Sequence, residues 1–211
     1  MKELFVLTAD ADALAVMKQV LESPRALGIR PIQFCVDRHT GRDSGMVKNG
    51  PELAGMFKYK STYHKVMLIW DHHGSGWENK YPPEDARDRI SKRLDDKTWK
   101  NNSMAIVAVP ELEEWLWHNP ASISRLLGLP EGELESWIAD FSQGKGVTVE
   151  KARQTLPKEM FESVVYRKMK RKPRPGDFEQ IAAAASLTAW QQSPSFRTIV
   201  ETLREWFPAG S

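Results

Sequence analysis

The sequence contains a single cysteine, Cys35, among its 211 residues. An internal disulfide is therefore excluded, in keeping with a reducing compartment. No apolar run is long enough to cross a membrane, and the chain reaches an acidic cluster after only a few apolar residues, too few for a signal peptide. We therefore expect a cytoplasmic protein with no membrane partner. The net charge of +2 is too small to indicate a nucleic-acid binder by itself.

What the chain does contain is a series of short apolar runs that alternate with helical patterns. This alternation predicts a parallel sheet joined by right-handed crossovers. Beyond residue 127 the strand signal fades, and helices punctuated by proline and glycine follow. We predict an α/β fold: an open, mainly parallel four-stranded sheet flanked by helices in residues 1–127, and a helical C-terminal extension in residues 128–211. The predicted strands are residues 4–7, 32–36, 66–70 and 104–109.

Acidic residues or histidines stand where these strands end. In an open parallel sheet the carboxyl ends of the strands lie along one edge, so residues a hundred positions apart can converge on one crevice. Asp10 and Asp12 follow the first strand and precede a helix, where capping and the helix dipole also favour acids. Two acids in a tight turn are equally suited as oxygen ligands of Mg²⁺ or Mn²⁺. Both interpretations stay open.

The most specific element follows the third strand and reads Asp71-His72-His73-Gly74-Ser75-Gly76. A structural turn needs the glycines, but it gives no reason for two adjacent histidines. The glycines let the backbone pass close to a ligand, the aspartate can bind a metal, and the histidines can bind metal or relay protons. We interpret this segment as a functional loop with Asp71 as its central residue.

Glu111 and Glu113 follow the fourth strand and Pro110. Glutamates in the first turn of a helix are ordinary, so this segment alone indicates little. It gains weight beside the other strand ends, because Glu113 lies one turn after Pro110 and can point back toward the crevice.

Residues 38–50 are rich in Gly, Asp and Arg and show no periodicity, which predicts a long loop before a short helix at residues 51–59. Asp37, His39 and Asp43 belong to this region together with Arg38 and Arg42. Mixed charges of this kind are typical of a solvated loop. The alternative is a mobile flap that offers cations to phosphate and holds His39 near a metal.

Residues 166–175 carry several positive charges and no acid. Such a run can bind phosphate backbones through counterion release without sequence specificity. The competing interpretation is a solvated helix end followed by a linker. The candidate nucleic-acid-binding residues are Arg167, Lys168, Lys170, Arg171, Lys172 and Arg174.

The strand order and acidic strand ends resemble the Toprim-like fold of primases, topoisomerases and several nucleases of bacterial defence. In that family one strand ends in Glu-Gly with an acid a few residues on, and a later strand ends in Asp-x-Asp-Gly; together they hold Mg²⁺. Asp12 stands where the later acid of the first motif would be, while Thr8 and Ala9 replace Glu-Gly. Asp71 matches the first acid of the second motif, and His73 replaces the second acid.

The chain is also similar, over most of its length, to a small protein of methylation-associated phage-defence systems. The shared features are an Asp-His-x-Gly-Ser-Gly loop, a Pro-Glu-Leu-Glu-x-Trp segment, a Pro-Lys-Glu-Met-like segment at residues 157–160 and a Trp-Phe-Pro ending at residues 206–208. This resemblance implies a role in antiviral defence beside other subunits of a defence system.

A third resemblance is to DHH phosphoesterases. Residues 9–15 and Asp71-His72-His73 are similar to the Asp-x-Asp and Asp-His-His motifs of that family, although Thr8 stands where the family carries a preceding histidine. A DHH-type site implies a Mn²⁺ centre that uses both histidines beside Asp71.

The leading hypothesis is a divalent-metal-dependent phosphodiesterase or nuclease that acts on nucleic acid with Mg²⁺ or Mn²⁺. Asp71 is the expected main ligand, completed by Glu113 and by one of the first-strand acids. The rival hypothesis is a non-catalytic subunit that binds nucleic acid, nucleotide or a partner protein. The residues assigned to the metal are Asp10, Asp12, Asp71 and Glu113, and those assigned to catalysis are Asp71, His72, His73 and Glu113.

Overall fold

The computed structural model describes residues 2–130 and 132–210. Its strands are β1 (Lys2–Thr8), β2 (Phe34–Arg38), β3 (Tyr63–Asp71) and β4 (Ser103–Ala108). They form one open sheet in the order β2-β1-β3-β4, and every neighbouring pair is parallel. The predicted α/β class, with a parallel four-stranded sheet flanked by helices and a helical C-terminal part, is confirmed.

Helices make up most of the rest of the described chain. They are α1 (Ala11–Leu21), α2 (Pro24–Leu27), α3 (Arg42–Ala54), α4 (Phe57–Lys60), α5 (Pro83–Leu94), α6 (Glu113–Leu116), α7 (Pro120–Leu127), α8 (Glu133–Lys145), α9 (Val149–Thr155), α10 (Pro157–Met169), α11 (Pro175–Ala184), α12 (Leu187–Trp190) and α13 (Pro194–Trp206). A π-helical turn, Asp95–Trp99, continues α5. Within residues 2–130 and 132–210, no helix has the length and apolar character needed to cross a membrane.

The sheet is covered on both faces, which explains why its central strands read as continuous apolar runs. Successive side chains of a strand point to opposite faces. Leu4 and Val6 of β1 therefore join a core with α1, α11 and α13, while Phe5 and Leu7 join a second core with α3 and α5. The helices that follow β1 and β3 consequently lie on opposite faces of the sheet.

The helices beyond residue 127 contribute to the first of these cores. Helix α11 packs against α1 and α7, and α13 packs against β4. Phe161, Phe178 and Phe196 are buried there, together with Ile199 and Leu203 of the last helix, as its periodicity predicts. The C-terminal helices therefore share one hydrophobic core with the sheet.

The long loop predicted for residues 38–50 is wrong, because α3 occupies most of this region. The buried residues of α3 are Met46, Val47, Gly50, Pro51 and Ala54, and two of these five, the glycine and the proline inside the helix, are residues that disfavour helices. A helical period carried by so few apolar residues is not visible in the sequence. The mobile flap that we considered there is likewise replaced by a packed helix.

Gly45 permits close packing between α3 and His39. A Cβ atom at Gly45 would lie 2.5 Å from Cε1 and Nδ1 of the His39 ring. The ring is buried, and its Nδ1 accepts a hydrogen bond from the Gly41 N–H at 2.9 Å. The His39 N–H donates to the carbonyl oxygen of Thr8 at 2.7 Å. His39 therefore fastens α3 to the strand ends, a packing role that we did not predict.

We predict that Gly45→Ala lowers the free energy of unfolding by about 1–2 kcal/mol. The added methyl group overpacks the His39 contact, and the gain in helix propensity only partly offsets that cost. Chemical denaturation measures the difference. The matched control is Gly144→Ala on α8, where an added Cβ meets no atom within 4 Å of the described structure. Equal effects of the two substitutions would contradict the close packing at Gly45.

Candidate functional site

The carboxyl ends of β1 and β3 form the point at which the sheet changes direction. The two strands are neighbours, yet the chain leaves β1 toward β2 through α1 and leaves β3 toward β4 through α5, on the opposite face. Such a topological switch point opens a crevice in which open α/β sheets bind ligands. The acids predicted from the strand ends lie around this crevice.

Asp71 ends β3 and connects three parts of the chain. Its Oδ1 accepts a hydrogen bond from the Leu112 N–H at 2.9 Å. Its own N–H donates to Oδ1 of Asp43 at 2.8 Å. Burial, followed by the charges of neighbouring carboxylates with Glu113 foremost, raises the pKa of Asp71 well above its usual range. Asp71 is thus oriented by backbone contacts and held in surroundings that disfavour its charge.

Asp10 and Asp12 differ in their surroundings: Asp10 caps a helix, whereas Asp12 does not. Asp10 caps α1, since its Oδ1 accepts hydrogen bonds from the N–H groups of Asp12 at 3.1 Å and Ala13 at 2.9 Å. Asp12 lies in the first turn of α1, where burial and the charge of Asp10 raise its pKa to about 6, against the opposing charges of Lys158 and Arg42. Capping therefore explains Asp10 but not Asp12.

Glu111 and Glu113 are buried, with 6% and 5% of their surfaces exposed. Burial raises the pKa of Glu113 to about 8, although Lys158 counteracts part of the rise. Burial also raises the pKa of Glu111, again against Lys158 and His73. Glu113 lies in the first turn of α6, where glutamates are ordinarily solvated, and Glu111 precedes that helix; their burial is therefore not explained by the helix dipole alone.

Asp43 is a member of the same site, although the sequence favoured a solvated residue. It lies in the first turn of α3, and burial raises its pKa despite the hydrogen bond that it accepts from Asp71. The sequence hid this role because the helix that positions Asp43 was itself missed. We name the group the strand-end acid cluster; its members are Asp10, Asp12, Asp43, Asp71, Glu111 and Glu113.

Lys158 brings a positive charge to this cluster from the C-terminal part of the chain. It stands at the start of α10, and its Nζ lies 3.8 Å from Oε1 of Glu111. Burial alone lowers the pKa of Lys158, but the surrounding carboxylates outweigh burial and raise it, Glu113 and Asp71 most strongly. Sequence reasoning missed Lys158, because its place depends on how the C-terminal helices pack against the sheet.

The two histidines after Asp71 have different surroundings. Nε2 of His72 lies 3.0 Å from the carbonyl oxygen of Tyr81, and since a carbonyl oxygen only accepts, Nε2 carries the proton. His73 has 60% of its side chain exposed, and its Nδ1 lies 3.4 Å from Oε1 of Glu111. His73 therefore stands at the rim of the cluster, whereas His72 is engaged with the loop.

The glycines of this loop are required by its backbone. Gly74 and Gly76 have φ angles of +81° and +77°, a region that side chains disfavour. Ser75 is buried between them, where its Oγ donates to the carbonyl oxygen of His72 at 2.7 Å and accepts from the Trp77 N–H at 3.1 Å. The local turn thus accounts for the glycines and the serine without a ligand.

Part of the basic run is used inside the protein. Arg171 donates two hydrogen bonds to the buried carboxylate of Asp177, at 2.6 and 2.7 Å. The same carboxylate accepts from the Arg174 N–H at 2.8 Å and so caps α11. Arg167 pairs with Asp140 at 2.7 Å. Arg171 and Arg167 consequently have structural partners.

The lysines of the run are exposed and point outward from the end of α10 and the turn after it. They are Lys168, Lys170 and Lys172. Ten residues of helix separate Lys168 from Lys158, which corresponds to about 15 Å. The basic surface and the strand-end acid cluster are therefore two regions joined by one helix.

The donor chemistry of the cluster fits a hard divalent cation, because its members offer carboxylate oxygens. Lys158 already places an ammonium group beside them. Across the part of the chain that the structure describes, no three His, Cys, Asp or Glu side chains are arranged so that they could hold a metal ion together. Metal binding at this site therefore requires side-chain rearrangement.

The sequence and fold were compared with protein-family models, curated proteins and solved structures. The chain matches none of them.

The raised carboxyl pKa values predict a stability that falls as pH rises in the presence of a chelator. A group whose pKa is higher in the folded state stabilises the fold below its unfolded pKa and loses that contribution as pH rises through the folded pKa. For Asp12 and Glu113 this range extends from about 4 to about 8. We expect the melting temperature to fall between about pH 5 and about pH 8.5.

Glu113→Gln keeps the neutral shape of the protonated glutamate. We expect it to raise the melting temperature at about pH 8.5 by roughly 2–5 °C and to have little effect at about pH 5. Differential scanning calorimetry at both values measures this. The control is Glu22→Gln at the exposed end of α1. Parallel curves for wild type and Glu113→Gln would rule out the raised pKa of Glu113.

Proposed function

We propose that the protein is a divalent-metal-dependent phosphodiesterase or nuclease that works at the strand-end acid cluster. The observation that carries this proposal is the group of carboxyls with raised pKa values around the switch-point crevice. Gathering partly buried carboxylates costs free energy, and strongly perturbed groups of this kind are typical of functional sites. A divalent cation would remove that cost by binding the carboxylates.

Asp71 is the main ligand in this proposal, because backbone hydrogen bonds already orient its carboxylate. Asp12 is favoured over Asp10 as the first-strand ligand, since Asp10 is engaged in capping. Glu113 is the third. When bound, Mg²⁺ or Mn²⁺ would polarise a phosphoryl oxygen and activate a water molecule.

The proton donor to the leaving oxygen is His73 in this proposal. Its ring is exposed at the rim of the cluster, where it can reach a bound substrate. His72 is held by the Tyr81 carbonyl oxygen and is less available. This difference favours a carboxylate-led site over a DHH-type site, which would use both histidines beside Asp71.

Nucleic acid is the substrate that we propose, with the exposed lysines Lys168, Lys170 and Lys172 as its phosphate contacts. The resemblance to phage-defence proteins supports a place in a bacterial antiviral system, in the cytoplasm and together with other subunits. Arg167, Arg171 and Arg174 enter this proposal only as residues that shape the surface, because two of them are paired with acids and the third lies at a helix cap.

One observation favours a second candidate function, a non-catalytic subunit that binds nucleic acid or a partner protein. The described residues present no ready-made metal-binding group, and Lys158 already compensates part of the negative charge. The enzyme is expected to bind metal and turn over a substrate, whereas the non-catalytic subunit is expected to show no turnover. One experiment measures both properties.

We predict that Asp71→Asn abolishes Mn²⁺ binding and hydrolysis of nucleic acid while changing the melting temperature by less than about 3 °C. The amide keeps the oxygen that accepts from Leu112 and removes only the charge. Isothermal titration with Mn²⁺ reports binding, and cleavage of labelled DNA, RNA and cyclic nucleotides reports activity.

Asp37→Asn is the matched control, because Asp37 is an exposed strand-end aspartate outside the cluster. Its metal binding and activity are expected to equal those of the wild type. Mn²⁺ binding by the wild type without turnover on any substrate would favour the non-catalytic candidate. Unfolding of Asp71→Asn would instead assign Asp71 a structural role.

The exposed lysines carry a separate prediction about nucleic-acid affinity. Replacing Lys168, Lys170 and Lys172 by Ala should weaken binding similarly for all sequences and reduce the slope of log K against log salt by up to about 2–3. Fluorescence anisotropy at several salt concentrations measures both quantities.

The control for this triple variant removes the same charge from the other face of the sheet. In this control, Ala replaces three exposed lysines: Lys48 on α3, Lys92 on α5 and Lys100 after the π-helical turn. If the two triple variants lose affinity equally, only the net charge matters. The basic run at residues 166–175 would then have no specific role in binding.

A further inference from the structure

Lys158 occupies a position that helix energetics disfavours. It is the second residue of α10, and a cation near a helix N-terminus interacts unfavourably with the helix dipole. Its side chain is also partly withdrawn from water, with 41% exposed. The interactions that compensate for both costs are those with the strand-end acid cluster.

The backbone of Lys158 is fixed by its neighbours. The carbonyl oxygen of Pro157 accepts a hydrogen bond from Nε1 of Trp117 at 2.9 Å. Met160 and Phe161 are fully buried one turn further along the helix. The start of α10 is therefore anchored in the core, whereas the ammonium group stands on a long side chain with several rotatable bonds.

The ammonium group, in contrast, is not locked in place. Its distance of 3.8 Å to Glu111 is longer than a hydrogen bond, and the carboxylates act on it mainly through their charge. A group that is held by a diffuse negative field can be replaced by a stronger cation without breaking specific hydrogen bonds.

We propose that the Lys158 ammonium is an internal stand-in for the divalent cation: it neutralises the strand-end acid cluster in the metal-free protein and competes with the metal for that position. This inference rests on the proposed metal site and adds a residue that sets its affinity. Metal binding then requires the ammonium to leave and the carboxylates to rearrange, since the described residues hold no group of three ligands already arranged for a metal.

The test compares Mn²⁺ affinity by isothermal titration among Lys158 variants. Lys158→Met keeps the apolar stem and removes the charge, and we expect it to bind Mn²⁺ at least about tenfold more tightly than the wild type. Lys158→Gln is a second neutral variant that tolerates polar surroundings. Lys158→Arg keeps the charge and should show no gain in affinity. Lys151→Met, on the exposed side of α9, is the matched control with unchanged affinity.

Thermal melting supplies a second measurement that does not depend on turnover. With a chelator, both neutral variants should melt below the wild type, because the carboxylates lose their counter-charge. With Mn²⁺ they should recover more than the wild type does. This pattern separates lost compensation from a general packing defect, which metal would not repair.

Each outcome bears on the two proposals differently. If the wild type binds Mn²⁺ and the neutral variants bind equally or more weakly, the stand-in role is wrong while the metal site remains. If only the neutral variants bind, Lys158 is a permanent replacement for the metal, and the metal-dependent function of the wild type fails. If neither binds, both proposals are wrong.

Discussion

The constraint that shapes this structure is the cost of holding carboxyl groups out of water and close to one another where β1, β3 and β4 end. The fold offsets it with contacts from distant segments: the Leu112 N–H supports Asp71, Asp43 of α3 accepts from the backbone of β3, and Lys158 comes from α10. The two hydrogen bonds connect Leu112 and α3 to the end of β3, while Lys158 adds a counter-charge from a helix that core packing holds in place. The cluster is thus assembled from segments that the core packing brings to one edge of the sheet.

A fold optimised for stability alone would have fewer acids at this edge. Each carboxyl whose pKa is raised by burial and by its neighbours is a group that the folded state holds less favourably than water does, when it is ionised. In natural proteins, residues that are unfavourable for the stability of the fold are found mainly at functional sites. Here they are concentrated at the switch-point crevice, where open α/β sheets bind ligands.

The sequence predicted what depends on local pattern and failed where tertiary packing decides. Each strand contains a short apolar run, Asp71 ends one strand and Glu113 follows another, and the parallel topology brings both to one edge of the sheet. Helix α3 was missed because glycines replace apolar side chains on its buried face, and Asp43 was undervalued with it. Lys158 lies 87 positions after Asp71 in the sequence. Its place follows from the packing of Trp117 and Phe161, which no local pattern contains.

Tertiary packing also separates the charges of the basic run at residues 166–175 into two groups. Its charges looked equivalent in the sequence, but the arginines Arg171 and Arg167 are paired with acids and stabilise the C-terminal helices. The exposed basic residues of the run whose charged groups pair with no acidic side chain in the described structure are Lys168, Lys170, Lys172 and Arg174, and we propose the lysines as phosphate contacts. They lie about 15 Å along α10 from Lys158, a span of about four phosphates on one strand of B-form DNA. In the proposed function, a nucleic acid bound by these lysines would reach the acid cluster along this helix, and α10 would then serve both substrate binding and charge compensation.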